Sequence, residues 1–542
     1  MRLFSRGDFD GFCAIALDNL VQLLLIPTLC IGVLGFNPAL VFTRILPGIA
    51  VSYVAGNLFY AWQAHRLARR EGRADVCAQP FGLNTPSVIA YVFFVMAPAK
   101  QIAIAQGAAD PDRIAWRVGL AACLASGVIE FAGAFFADRI RRATPRAALL
   151  ASLAGAGFTF LTMNFLFSTF AHPIVGFATL GLVLLFYFGG LRPRGGVPAA
   201  LVILVVGAAL AWATGLAPAG EWSSADLGLR LPRAAFADLS SGLRAGSVIP
   251  YLAVIVPMGL LDLIASLQCI ESAAAAGDSY STAASLAVNG LCTFAAACFG
   301  SPFPTSLYIG HPAWKRMGAR AGYSTANALF VTALCLTGGM ALVLWAVPPD
   351  AGLAIMIWIG FIITIQAFEA TDRRHWPAVL MGMVPVVLAW VTFAMKTAVR
   401  LGAGAAGAPF SAALIASFHR AGFVIEGGFA IEQGTFVCAL ILAAITVFII
   451  DRKLVTAALW SLAAAALSLL GLLHAWKLQP NDTVGTIPLL ERLAGRPAAG
   501  AALFPAAAYA IAYAGLAAIL LLARWFAEPV ESASDPAGAP PR

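Results

Sequence analysis

The chain has 542 residues, 61% of them hydrophobic and only 11% charged, with a mean hydropathy of +0.86 and a formal net charge of +8. That composition excludes a soluble globular enzyme and predicts a polytopic membrane protein, because apolar runs of about the 20 residues that a helix needs to cross the hydrocarbon core recur from residue 10 to residue 525. The positive balance does not mark a nucleic-acid binder, since the basic residues fall in short clusters between apolar runs instead of on one continuous face.

The N-terminal MRLFSRGDFDG is basic but has no small-residue cleavage pattern, and the apolar run behind it is too long for a signal-peptide core, so residue 1 is expected to stay in the mature chain. Seven crossings are predicted next, at 10–34, 39–63, 80–98, 115–138, 147–170, 173–190 and 197–215. The third is broken by PFGLNTP at 80–86. A polar stretch at 217–247, containing Pro232, divides the chain into a first repeat at 1–216 and a second at 248–452. The second repeat reads 248–276, 284–299, 300–318, 323–346, 353–371, 376–397 and 434–450, and again the third crossing is broken, here by GSPFPTSLYIGHP at 300–312. An odd number of crossings per half puts the halves in opposite orientations, the plan of an inverted-repeat transporter. Two more apolar segments, 454–476 and 504–525, make an added hairpin within 453–526, and residues 527–542 read as a disordered tail.

The basic clusters set the orientation. Arg66, Arg69, Arg70 and Arg73, then Arg139, Arg141, Arg142 and Arg146, then Arg192 and Arg194, then Lys315, Arg316 and Arg320, then Arg373 and Arg374, then Arg452 and Lys453 all fall in loops on one side of this plan. The positive-inside rule makes that side cytoplasmic, with both termini on it, in a cell's inner (plasma) membrane. Nine cysteines without paired spacing read as small packing residues and not as a metal site or a disulfide framework.

Three local patterns carry a resemblance. FGSPFPTSLYIGHP (299–312), preceded by Asn289-Gly290, resembles the signature around the tenth span of the nucleobase–cation symporters, the uracil/xanthine permease family. LDLIASLQCIESA (261–273) resembles that family's acidic eighth-span segment, with Asp262 where the family has a Glu, and IALDNLVQLL (15–24) resembles its first-span segment, with Asp18 and Asn19 in place of a Gln-His pair. The resemblance covers roughly residues 10–450. It implies a fold shared with the sulfate-permease-like anion transporters, a small-molecule substrate, a coupling ion, no cofactor and a homodimer in membrane lipid. The chain departs from the family at the tenth span, where Ile309 or Gly310 stands in place of a substrate-holding Glu.

The site is predicted where the two broken crossings meet, because non-helical backbone at membrane depth is tolerated only when buried in protein or lining a cavity. Half-helices starting near Thr85 or Pro86 and near Thr305 or Ser306 would leave free N–H groups and positive dipole ends there. Phe81, Gly82, Asn84 and Thr85 from the first break, and Phe303, Thr305, Ser306, Tyr308 and His311 from the second, are the candidate binding residues, with Phe81, Phe303 and Tyr308 as covers for a flat ligand. Asp262 is the leading carboxylate, with Ser266 and Cys269 on its helical face. A carboxylate near a helix centre costs about 2.5–3.5 kcal/mol on insertion scales and so faces a functional interior; the competing reading is a structural carboxylate capped by neighbouring amides and hydroxyls. Glu271 and Asp18 are the further candidates for proton coupling, and Glu130, Asn164 and Gln366 read as interhelical glue.

These residues predict a secondary transporter, a proton-coupled symporter of a nucleobase-like heterocycle working by alternating access. The alternative is an anion or small organic acid transporter, or a channel, of the sulfate-permease type. Proton coupling is favoured over sodium by the buried carboxylates. An enzyme is disfavoured, since the sequence has no nucleophile elbow, no Walker loop and no metal-ligand cluster.

Overall fold

The computed structural model describes residues 4–217, 227–244, 248, 251–403, 411–479, 482–488, 492 and 503–527. Most of the described chain is helical, as expected. Among the described residues, seven helices are long and apolar enough to cross a membrane, an eighth span arises if Ile425–Glu432 and Thr435–Ile450 are joined across their 93° bend, and five more apolar helices have 10–17 residues. Two of these short helices, Thr282–Cys298 and Leu353–Glu369, lie largely inside the protein.

The elements that position the site are, in chain order, α1 (Gly7–Pro27), α2 (Leu46–Glu71), β1 (Phe81–Leu83), α3 (Thr85–Tyr91), α4 (Ala97–Ala105), α5 (Pro111–Gly133), α6 (Arg146–Ala156), α7 (Pro173–Val183), α8 (Ala199–Ala213), α9 (Leu252–Ala275), α10 (Thr282–Cys298), β2 (Thr305–Leu307), α11 (His311–Arg316), α12 (Gly322–Thr337), α13 (Leu353–Glu369), α14 (Trp376–Ala403), α15 (Ile425–Glu432), α16 (Thr435–Ile450), α17 (Leu454–Leu469) and α18 (Ala507–Phe526). Several starts follow from local chemistry. Asp110 accepts the Arg113 N–H at 3.0 Å with Pro111 at the first helical position of α5, and the Ser281 hydroxyl caps α10. Asp8, in the first turn of α1, accepts the Arg320 and Tyr323 N–H groups at 2.7 and 3.1 Å, so the start of the chain is tied to the start of α12.

The two broken crossings meet as an antiparallel strand pair: Phe81 opposes Leu307, Gly82 opposes Ser306 and Leu83 opposes Thr305. The ladder continues one bond beyond each end. Tyr308 N–H donates to the Pro80 carbonyl at 2.8 Å and Asn84 N–H to the Pro304 carbonyl at 3.0 Å. Each proline, which has no N–H to give, stands where only a carbonyl is used. The pairing thereby satisfies backbone groups that neither crossing satisfies alone.

Around this pair α1, α2, α5, α9, α10 and α12 form one bundle, while α6, α13, α14 and α16 form a second. If the second half repeats the first, α1, α2 and α5 correspond to α9, α10 and α12. The packing agrees, since α5 packs on α10 as α12 packs on α2, and α5 packs on α9 as α12 packs on α1. α17 and α18 pack along each other outside α16, with the Ser461 hydroxyl donating to the Tyr513 carbonyl at 2.7 Å. All nine cysteines are buried and free.

The structure departs from the sequence expectations in five places. The helix of the second break begins at His311 and not at Thr305 or Ser306, behind an extended piece at 305–307. Gly310 makes the turn between them at φ 122°, a conformation that side-chain-bearing residues rarely adopt. The crossing at 323–346 divides at Gly338 into Gly322–Thr337 and Met340–Ala346. The stretch between 397 and 434 contains Ala412–Arg420 and Ile425–Glu432. The added hairpin ends its first helix at Leu469 and carries a two-stranded turn, Trp476–Gln479 with Asp482–Gly485. The connector at 217–247 holds a short helix, Phe236–Gly242, while its residues 218–226 and 245–247 lie outside the described residues, as do residues 528–542 of the expected tail.

β1 docks on α2 through a glycine. A Cβ on Gly56 would stand 2.2 Å from the fully buried Phe81 ring, which is itself held by Tyr53 and Tyr60 at ring-centre distances of 6.4 and 5.3 Å. Gly56→Ala is therefore expected to destabilise the protein by about 1–3 kcal/mol, the usual cost of overpacking. A thermal melt of the detergent-purified variant that matches wild type would show that β1 does not seat as described.

Candidate functional site

The strand pair is backed by polar side chains on both sides. On the β1 side, Tyr53 of α2 accepts the Leu83 N–H at 2.9 Å and donates to Asn19 of α1 at 3.2 Å. Asn19 donates to Asn327 of α12 at 2.9 Å, and Asn327 donates to Asn57 of α2 at 3.2 Å. Gly82 lies against this group: a Cβ there would meet Asn19 Oδ1 at 2.9 Å, the Tyr53 hydroxyl at 3.3 Å and the Tyr308 ring at 3.4 Å. On the β2 side, Ser306 faces Ser266 of α9 across 3.2 Å, and Ser266 accepts from Asn289 of α10 at 3.0 Å. Asn289 and Thr293 connect in turn to Glu130 of α5.

Two carboxylates flank the crossing. Asp262 is fully buried and its Oδ1 accepts from Asn84 Nδ2 at 2.6 Å. Asn84 also caps α3, its Oδ1 accepting the Ser87 N–H at 2.9 Å, so one side chain ends the strand, starts the helix and holds the acid. Asp18, one turn before Gln22 in α1, accepts from Gln22 Nε2 at 3.0 Å; the same amide also donates to the Tyr308 hydroxyl. Neither carboxylate has an ion-pair partner among the described residues. Thr85, half-buried, opens α3 beside this group, and Thr305 is held by Thr293, which donates to its carbonyl at 2.9 Å and accepts its N–H at 3.2 Å.

The structure brings together Gly82, Asn84, Asp262, Ser266, Thr305, Ser306 and, on the facing helix, Asp18 with Tyr308. Four other expected residues have different surroundings. The Phe81 ring packs into α2, and Phe303 is fully buried in an apolar cluster with Leu83 and Tyr53, so neither is placed as a ligand cover. His311 is buried with its Nε2 3.0 Å from Asp278 Oδ2, in a cluster with Lys315 and Arg73 at the arginine-rich end. Glu271 accepts from Arg141 and Arg146, both at 2.6 Å. Sequence reasoning missed Gln22, Tyr53, Asn57, Thr293 and Asn327. Polar residues at helical spacing in otherwise apolar runs were the available signal, but such spacing does not say which neighbour each residue meets.

Polar bonds between the two bundles gather at the arginine-rich end. Glu271 of α9 joins Arg141 and Arg146. The Ser272 hydroxyl donates to Gln366 Oε1 at 2.6 Å, and Gln366 Nε2 returns a bond to the Ser272 carbonyl at 2.7 Å. Arg316 of α11 meets Glu369 of α13 at 2.6 Å, and Asp10 of α1 accepts the Ala200 N–H of α8 at 2.8 Å.

The sequence matches no family model and no curated protein. Among solved structures, the fold is similar to the transmembrane domain of a cyanobacterium bicarbonate transporter, BicA, with a TM-score of 0.40 and 15% identity over 71% of this chain and 96% of that one. A likeness of that size says nothing of what this chain carries.

The Asp278 cluster, in the turn between α9 and α10, gives a test by pH. Burial raises the Asp278 carboxyl, but hydrogen bonds from His311, Lys315 and the Cys77 N–H, with the nearby positive charge, outweigh it and hold the group below the usual carboxylate range. A folded-state value below the unfolded one means stability that is present above about pH 4 and lost as pH falls through the folded value. Asp278→Asn is expected to lower stability near neutral pH by about 1.5–3 kcal/mol, the worth of a charged hydrogen bond, and to shrink the acid-side fall in melting temperature. An unchanged acid-side profile would remove Asp278 from that account.

Proposed function

We propose that the chain is a secondary active transporter that takes a small solute at the strand crossing and moves it, with a proton, by displacement of one bundle against the other. The observation that carries this reading is the pair of buried carboxylates, Asp18 and Asp262, which flank the crossing with amide donors but without a cation. A charge so placed is expensive at membrane depth. A proton entering with the solute removes that cost, and its departure on the other side restores it. The polar bonds at the arginine-rich end close that side, which the charge rule makes cytoplasmic, and support a site that is reached from each side in turn.

The cargo favoured is an acceptor-rich solute, with a small organic or inorganic anion carried together with its proton as the leading class. By the resemblance, Ile309 or Gly310 stands where the nucleobase permeases have their tenth-span acid, and the groups near the crossing include the Tyr308 hydroxyl, the Gln22 and Asn84 amides and the hydroxyls of Ser266 and Ser306. A nucleobase-like heterocycle is the second reading, favoured by Asn84 and Asp262, which side by side offer a donor and an acceptor to a ring edge. Buried groups left unpaired by the wrong ligand cost about 1–3 kcal/mol each, enough to separate these classes.

Proteoliposomes containing the protein are expected to accumulate solute under a proton gradient and to lose accumulation when a protonophore is added. Asp262→Asn should abolish accumulation while leaving insertion and folding intact, because the amide keeps the shape but cannot titrate. Normal accumulation by that variant would move the coupling role to Asp18. In a thermal-shift screen of the purified protein, small organic acids, inorganic anions and oxidised purines should stabilise more than adenine or uracil. The reverse order would favour the nucleobase reading.

A further inference from the structure

Glu130 is a third carboxylate at the crossing, expected from the sequence only to join helices and given no part in the transport proposed above. It is fully buried near the end of α5 and reaches β2 through Thr293, which bonds Thr305. Both of its oxygens are engaged. Oε1 accepts from Asn289 Nδ2 at 2.7 Å, and Oε2 stands 3.4 Å from the Thr293 hydroxyl oxygen. The ionisable groups facing it from its own and the neighbouring helices are Asp262, Tyr60, Tyr91 and the thiols of Cys123 and Cys292, none of them a cation.

Counting hydrogens locates a proton. The Thr293 hydroxyl has one hydrogen and two lone pairs. Its shortest contact, 2.9 Å, is to the Thr305 carbonyl, which can only accept, so the hydrogen lies there. One lone pair receives the Thr305 N–H at 3.2 Å. The other faces Glu130 Oε2. A bare carboxylate oxygen there sets lone pair against lone pair, whereas a protonated Oε2 donates to Thr293 and completes the set. Asn289 spends its two N–H groups on Glu130 Oε1 and on Ser266, whose hydroxyl is left to donate to Ser306, and Ser306 to the Leu307 carbonyl at 3.2 Å.

We infer that Glu130 holds a proton that clamps β2 through Thr293. When the proton leaves, the bare Oε2 claims the Thr293 hydrogen and the Thr305 carbonyl loses its donor. Thr305 pairs with Leu83 in the ladder, next to the Asn84 that holds Asp262. Glu130 is thus a positioning residue acting on the solute site through Thr293 and Asn289, and this role in transport rests on the function proposed above.

The test separates the two claims because its first measurement needs no solute. Infrared spectra of the purified full-length protein in lipid at neutral pH should contain a protonated-carboxyl C=O band that is lost in Glu130→Gln and retained in Asp262→Asn. Thr293→Val, which leaves Glu130 intact but removes its acceptor, should shift that band. Glu130→Gln should fold, since the amide reproduces the protonated acid by donating to Thr293 and accepting from Asn289. In the second measurement, wild-type solute binding should vary with pH, and the component lost in Glu130→Gln is the one that Glu130 supplies. Spectra in which neither Glu130→Gln nor Thr293→Val changes a carboxyl band would show Glu130 ionised and overturn the inference. Loss of the band with an unchanged pH profile of binding would leave the proton on Glu130 but overturn its link to the solute site. Should Glu130→Gln fail to fold, the Thr293→Val shift alone decides the protonation.

Discussion

Everything near the centre of this protein depends on the pairing of two interrupted crossings. Backbone that leaves the helix inside a membrane has donors and acceptors that lipid cannot satisfy. Here each interruption satisfies the other, through three opposed residue pairs and one further bond at each end that uses the carbonyls of Pro80 and Pro304. The arrangement fixes the distance between residues more than 200 positions apart in sequence, and it brings Gly82 and Ser306 to one place with side chains from both halves around them.

That shared strand pair explains why its surroundings are polar in so apolar a chain. On one side Tyr53, Asn19, Asn327 and Asn57 form a run of neutral donors and acceptors, and on the other Ser266, Asn289 and Thr293 form a run that ends on Glu130. Buried polar networks are stable only when their members are satisfied. Several of the buried polar atoms without a partner, Gln22 Oε1, Asp262 Oδ2 and Thr305 Oγ1 among them, lie beside the crossing. The charged groups follow a different logic. Glu271, Glu369 and Asp278, at the arginine-rich end, are neutralised by arginine or lysine, whereas Asp18 and Asp262 meet only uncharged amides and hydroxyls among the described residues. The acids near the boundary are thus paired with cations, whereas the two at the crossing are buried without an ion pair among the described residues.

The fold class, the positions of most helices, both breaks and the candidate status of Asp262 were legible in the sequence, because each is a local property: apolar run length, proline and glycine interrupting a run, a carboxylate where insertion is costly. The partners that set Asp262 apart from Glu271 were not. The two acids sit nine residues apart on one helix, and their difference lies in which partner reaches them, Asn84 for one and two arginines for the other. The surroundings of Phe81 and Phe303 were not legible for the same reason. An aromatic next to a break can cover a ligand or fill a core, and only the contact with Gly56, Tyr53 and Tyr60 decides for Phe81.

What the sequence determined by itself was thus one-dimensional: how many apolar segments there are, where they are interrupted, and which end of each carries positive charge. What only the tertiary structure decided was register and partnership. The second break pairs at 305–307 and not earlier because Gly310, at φ 122°, sets the turn into the following helix, and Pro304, with no N–H to offer, falls at the end of the ladder where a carbonyl alone is needed. His311 is consequently carried past the crossing to Asp278. Such outcomes depend on hydrogen-bond partners brought together from distant parts of the chain, and no local pattern contains them.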